Sequence, residues 1–122
     1  MVDDDLDVLS SLRFLLEAEG FDVRTFRSGA AMLDSTATEH FDCFVLDFKM
    51  PNMTGITVAS SLRGRNVTAP IVLITGYSDE NIEIKATVAG IDLVLLKPDG
   101  EESLASQIRA AVERNSEAGA LR

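Results

Sequence analysis

The hydrophobic positions change their period repeatedly along the chain. Leu6, Leu9, Leu12 and Leu16 recur at helical spacing, which predicts a helix from about Leu6 to Glu19, with Gly20 where a helix stops. Phe21-Asp22-Val23-Arg24-Thr25-Phe26 alternates and is β-rich, so a short strand is expected there. Ser28 opens a weak helix to about Thr36. Cys43-Phe44-Val45-Leu46 is an unbroken apolar run ending in acid, the pattern of a strand buried on both faces. Ile71–Thr75 and Leu93–Leu96 repeat that pattern. Pro51, Asn52 and Gly55 mark a loop, followed by a helix from about Thr57 to Arg63 that Gly64 ends. Ser78 or Asp79 caps a helix to Ala89, closed by Gly90. Leu104, Ile108, Ala111 and Val112 stripe a last helix, and the residues from about Asn115 are expected to fray.

Strands alternating with helices predict a parallel sheet covered by helices on both sides. In such sheets ligands bind beyond the carboxyl ends of the strands. The residues at those ends are Asp3-Asp4-Asp5, Asp47, Thr75 and Lys97. Carboxylates gathered in one crevice repel unless a cation sits among them, and a hard, oxygen-preferring ion such as Mg²⁺ is the simplest remedy. A cation, an ammonium and a hydroxyl suit an anion with several oxygens. A carboxylate in that setting can act as a nucleophile and form an acyl phosphate. An EF-hand loop starting at Asp3 fails, because its sixth position is Val8 and its twelfth is Phe14.

Composition narrows the classes further. The 122 residues suit one domain with a real core, and 46% are hydrophobic. A net charge of −9 argues against a grip on nucleic acid or on an anionic membrane, and favours a cation or a basic partner face. Cys43 has no second cysteine to pair with, so a reducing compartment is expected. No apolar run reaches the roughly 18–20 residues that span a bilayer. The acidic N-terminus does not read as a secretory signal. A cytoplasmic protein is the expectation. His40 reads as a loop residue, and Met32, Met50 and Met53 as packing.

Four motifs in register carry a resemblance. Asp47-Phe48-Lys49-Met50-Pro51-Asn52-Met53-Thr54-Gly55 resembles the D-x-x-M-P-x-M-x-G signature of response-regulator receiver domains, the CheY-like superfamily of two-component signalling. Val2-Asp3-Asp4-Asp5 resembles that family's first-strand acidic pair, Ile74-Thr75-Gly76 its hydroxyl followed by a small residue, and Leu96-Lys97-Pro98 its K-P. The resemblance implies a flavodoxin-like, doubly wound, five-stranded parallel sheet in the order 2-1-3-4-5. The receiver domain would span 1–115, with 116–122 a frayed tail. It implies Asp47 as phosphoacceptor. Mg²⁺ would be bound by Asp4, Asp47 and the backbone carbonyl of Lys49, with Asp3 holding a metal-bound water. Lys97 would pair with Asp47 and then the phosphoryl group, and Thr75 would hydrogen-bond a phosphoryl oxygen. Partners would be a sensor histidine kinase or phosphotransfer protein, and a downstream effector or fused output domain. A homodimer is left open, and the only chemistry expected is the domain's own phosphoryl transfer and dephosphorylation.

The chain departs from the family pattern in three places. Only Met1 and Val2 precede the acids, so the first strand is unusually short. Val94 stands where the family has its switch aromatic, and Asp99 where it has Phe. The short strand and Val94 keep a second reading open, a pseudo-receiver that binds proteins without phosphorylation. An aspartyl phosphatase fits less well, because Lys49 occupies the place of its general acid. A flavin site fits less well too, because acids replace the phosphate loop.

Overall fold

The computed structural model describes residues 1–35, 41–50, 53–76, 80–96 and 101–120, the side chains of 101–103 and 115–120 excepted. In chain order the elements are α1 (Leu6–Ala18), α2 (Gly29–Ser35), β1 (Phe44–Asp47), α3 (Gly55–Gly64), β2 (Ile71–Thr75), α4 (Glu80–Val88), β3 (Leu93–Leu96) and α5 (Glu101–Ala120).

The apolar runs become strands because both faces of their sheet are covered. Every residue of β1 and β2 is buried, whereas β3 is only half-buried. The sheet is parallel, in the order β1-β2-β3, with Leu46 beside Leu73 and Thr75 beside Leu96. Strand side chains alternate between two cores. Phe44, Leu46, Ile71 and Leu73 meet α2, α3 and α4 through Met32, Leu62 and Ile82. Val45, Val72 and Ile74 meet α1 and α5 through Leu12, Leu16, Leu104 and Ile108. The predicted α/β class with a parallel sheet is therefore present. Among the described residues three strands are formed, and two isolated parallel bridges, Val2 to Phe26 and Val2 to Leu46, extend the pairing beyond β1.

The expected strand at Phe21–Phe26 forms no ladder beyond the bridge at Phe26. The physical reason is the shortness of its neighbour, since only Met1 to Asp3 lie alongside to share hydrogen bonds. At the other end, α5 runs to Ala120.

Local signals set most boundaries. Asp5 caps α1, its carboxylate accepting from the N–H groups of Asp7 and Val8. Gly20 and Gly90 end α1 and α4 with φ of +94° and +90°, which glycine adopts without strain. Thr54 accepts from the Thr57 N–H, so α3 begins at Gly55, two residues earlier than the apolar pattern indicates. At the amino ends of β2 and β3, half-buried Arg63 donates to the carbonyls of Val67, Ala69 and Gly90 and to Asp92. Asp92 in turn accepts from the Ile71 N–H at 2.8 Å. No helix among the described residues is long and apolar enough to cross a membrane.

Candidate functional site

The carboxyl edge of the sheet gathers acids from distant parts of the chain. Asp47 is the last residue of β1, and its N–H donates to the Val2 carbonyl at 2.9 Å. That bond and the Val2 bridges hold the N-terminal segment beside β1, so Asp3 and Asp4 emerge next to Asp47. Asp3, Asp4 and Asp47 each offer a carboxylate oxygen, and these oxygens lie within 4.8 Å of one another. Asp3 and Asp47 are 3% and 7% exposed, while Asp4 faces solvent. Asp5 is not part of this group; it caps α1, and its N–H donates to the Asp3 carboxylate at 3.0 Å. The sequence carries a signal for that division of labour, an Asp directly before the first apolar-periodic residue.

Oxygen donors on opposite sides of a small divalent ion are separated by about 4–5 Å, given bond lengths of roughly 2.0–2.6 Å. Three carboxylates at this spacing, two of them buried, fit one hard cation. They are unfavourable together without compensating positive charge.

Thr75 ends β2 and is 2% exposed. It belongs to the same edge, because the Phe48 N–H just after Asp47 donates to the Ile74 carbonyl at 2.9 Å. A β-carbon on Gly76, the next residue, would meet nothing within 4 Å among the described residues. Lys49 is exposed two residues beyond Asp47. Lys97 lies outside the described residues, as do His40, Pro51, Asn52, Tyr77, Ser78, Asp79, Pro98 and Asp99; its predecessor Leu96 pairs with Thr75. Val94 packs, partly buried, against the core under α2, α3 and α4. Met32 and Met50 are buried and Met53 is partly buried, as expected for packing. Cys43 is half-buried against the opposite core. Burial pushes its thiol up to about 12, with nearby Asp92 and Asp42 acting in the same direction.

Gly55 was expected as a loop residue and as the glycine that closes the receiver signature. The structure shows why no side chain fits there: a β-carbon would stand 2.5 Å from the Asp47 carbonyl oxygen and 2.6 Å from Leu73 Cδ1. The start of α3 thus presses directly behind Asp47.

A buried-strand α/β domain with an acidic cluster at its carboxyl edge is the class that fold and site define. Residues 1–109 match the response regulator receiver domain family. The chain is 36% identical over 121 residues to the transcriptional regulatory protein KdpE of Mycobacterium tuberculosis, covering 99% of this chain and 53% of that protein. It is 32% identical over 119 residues to the transcriptional regulatory protein FixJ of Azorhizobium caulinodans, covering 98% and 56%. Among solved structures, a CheY-like response regulator receiver domain protein from Methanospirillum hungatei JF-1 superposes with a TM-score of 0.90 at 25% identity, covering 96% of this chain and 94% of that one. The chain belongs to the response regulator receiver domain family. It spans about half the length of the curated relatives it matches.

Proposed function

We propose that the chain is a phosphorylatable switch of a two-component system, with Asp47 as its phosphoacceptor. The observation that carries this reading is the convergence of Asp3, Asp4 and Asp47 within 4.8 Å at the carboxyl edge of the sheet. In this reading Asp4, Asp47 and the Lys49 carbonyl hold Mg²⁺, and Asp3 holds a water bound to it. When bound, the ion neutralises charge on the carboxylates and on the incoming phosphoryl group. A carboxylate oxygen of Asp47 attacks phosphorus and an O–P bond forms. The bond from phosphorus to the donor histidine breaks, and the imidazole nitrogen leaves with the electron pair. Lys97 balances the charge of the phosphoryl group, and the Thr75 hydroxyl donates to one of its oxygens. Water later attacks phosphorus, releasing phosphate and restoring the carboxylate. The chain thus catalyses only its own phosphoryl transfer and dephosphorylation.

The donor is a sensor histidine kinase or phosphotransfer protein, and the setting is cytoplasmic. The sheet order 2-1-3-4-5 belongs to this reading, supported by the two Val2 bridges. Onward signalling uses the face of α4, β3 and α5, where Ile84, Val88 and Leu96 are exposed apolar residues. Its receiver is a downstream effector or an output domain fused beyond the segment matched here. The names of the relatives, transcriptional regulators about twice as long, favour the fused arrangement.

The test is intact-protein mass after incubation with acetyl phosphate, with and without Mg²⁺, on the chain and on Asp47→Ala. A single Mg²⁺-dependent phosphoryl adduct, absent from Asp47→Ala, is expected. A folded chain that takes up no phosphoryl group would overturn the reading.

A further inference from the structure

After Asp47 the chain keeps returning to the core. Lys49 is exposed, but Met50 beside it is buried and Met53 is partly buried, and both thioethers join the core under α2, α3 and α4. Backbone bonds tie the two ends of this stretch. The Phe48 N–H donates to the Ile74 carbonyl at 2.9 Å, and the Phe48 carbonyl accepts from the Gly55 N–H at 3.0 Å. Between those ties, among the described residues, Met50 and Met53 are the side chains that reach the core. Gly29, the first residue of α2, makes room for Met53. A β-carbon there would stand 3.0 Å from Met53 Sδ and 2.5 Å from Val58 Cγ2. That corner is itself fixed, because the Ser28 hydroxyl accepts from the Ala31 N–H at 3.1 Å. Just before it, the Phe26 carbonyl accepts from the Asp3 N–H at 3.2 Å. The corner from Phe26 to Gly29 therefore braces the acidic cluster on one flank and Met53 on the other.

We propose, on the reading above in which the Lys49 carbonyl is a ligand beside Asp4 and Asp47, that Met50 and Met53 are positioning residues that fix where that carbonyl stands. A carbonyl ligand has no side chain of its own to aim it. Its oxygen moves with the peptide unit joining Lys49 to Met50, which is a rigid plane. Met50, held in the core, pins one end of that plane, and the bond from Phe48 to Ile74 pins the chain just before the other. Met53 against Gly29 holds the return of the chain towards α3. A small divalent ion that demands near-octahedral ligands is sensitive to the placement of each one. Methionine suits the task, because an unbranched thioether fills the irregular gap that Gly29 leaves. Both anchors are uncharged. Replacing them changes the grip on the ion through geometry and not through charge, unlike any change at the acids.

The test titrates Mg²⁺ calorimetrically into the chain, Met50→Ala, Met53→Ala, Met50→Leu, Met53→Leu and Ile108→Ala, all well below their melting temperatures. Either alanine at 50 or 53 is expected to weaken Mg²⁺ binding by about tenfold or more, as when a partner that orients a ligand is lost. Leucine, similar in volume, should recover most of that loss. Ile108→Ala empties part of the opposite core, so it should lower the melting temperature and leave Mg²⁺ affinity unchanged. Phosphoryl uptake from acetyl phosphate by Met53→Ala should return when Mg²⁺ is raised to saturation. Unchanged Mg²⁺ affinity in Met53→Ala would overturn the proposal, and so would an equal loss in Ile108→Ala or a loss of uptake that persists at saturation. Met53→Ala against Met53→Leu decides even where Met50→Ala does not fold. An unaltered chain that binds Mg²⁺ but takes up no phosphoryl group overturns the phosphoacceptor reading, while the ratio of Mg²⁺ affinities between variants still decides the anchors. An unaltered chain that binds no Mg²⁺ overturns both.

Discussion

Gly55 stands directly behind Asp47, so close that a β-carbon would lie 2.5 Å from the Asp47 carbonyl oxygen. Backbone atoms cannot yield as a flexible side-chain end can. Gly55→Ala is therefore expected to destabilise the chain by about 1–3 kcal/mol and to displace Asp47. Urea denaturation and the rate of phosphoryl uptake from acetyl phosphate check the two effects; loss of stability with an unchanged rate would show that Asp47 stays in place.

The acidic cluster sets two opposed expectations for Asp47→Asn. Without divalent cation, removing one of three neighbouring like charges should raise the melting temperature. Mg²⁺ affinity should fall by about tenfold or more, since a direct ligand is neutralised. Thermal melts and calorimetric titration read both. Unchanged Mg²⁺ binding would mean that the ion, if bound, sits elsewhere.

Arg63 satisfies three carbonyls and Asp92 from one planar guanidinium. Arg63→Ala should cost about 2–4 kcal/mol, because several acceptors lose a charged donor together. Arg63→Lys should recover little, since one ammonium cannot span acceptors on both sides. Equilibrium unfolding of the three proteins measures the difference.

Two groups near the amino end of β1 give a pH signature. The Met1 amino group, ordinarily near 8.0, is pushed down to about 6 by its surroundings. Between those values the unfolded chain binds more protons, so stability rises with pH. The Cys43 thiol, ordinarily near 9.0, is pushed up to about 12 by burial. From pH 9 upward the unfolded chain has lost its proton while the folded chain keeps it, so stability falls. For these two groups the maximum lies between pH 8 and 9, measurable as denaturation midpoints across pH. Alkylation of Cys43 at pH 8 should be slow in the folded chain and fast once it unfolds.

Much of this structure is legible in the sequence because the parallel sheet turns local signals into a shared edge. Asp47 and Thr75 end apolar runs, and the prediction that such ends converge with Asp3 and Asp4 agrees with the observed edge. Gly20 and Gly90 announce their positive φ for the same local reason. Other features depend on contacts that periodicity does not carry. Asp5 reads as one more acid until α1 begins beside it. Gly55 reads as a loop residue until α3 closes on Asp47. Phe21–Phe26 has the composition of a strand, but a ladder also needs a neighbour of matching length, and Met1–Asp3 is too short.

Val2 bridges to Phe26 on one side and to Leu46 on the other, and a seam only a few hydrogen bonds long joins the N-terminal segment, with Phe26 beyond it, to β1. Asp3 and Asp4 stand on one bank of that seam and Asp47 on the other. A cation gripped by all three would work as a clasp across it as well as a reagent. The amides of Val2 and Asp47, which cross the junction between those two banks, would then exchange more slowly as Mg²⁺ is added. Loading the site would be felt as a change in how tightly the domain is sewn together, before any phosphoryl group arrives.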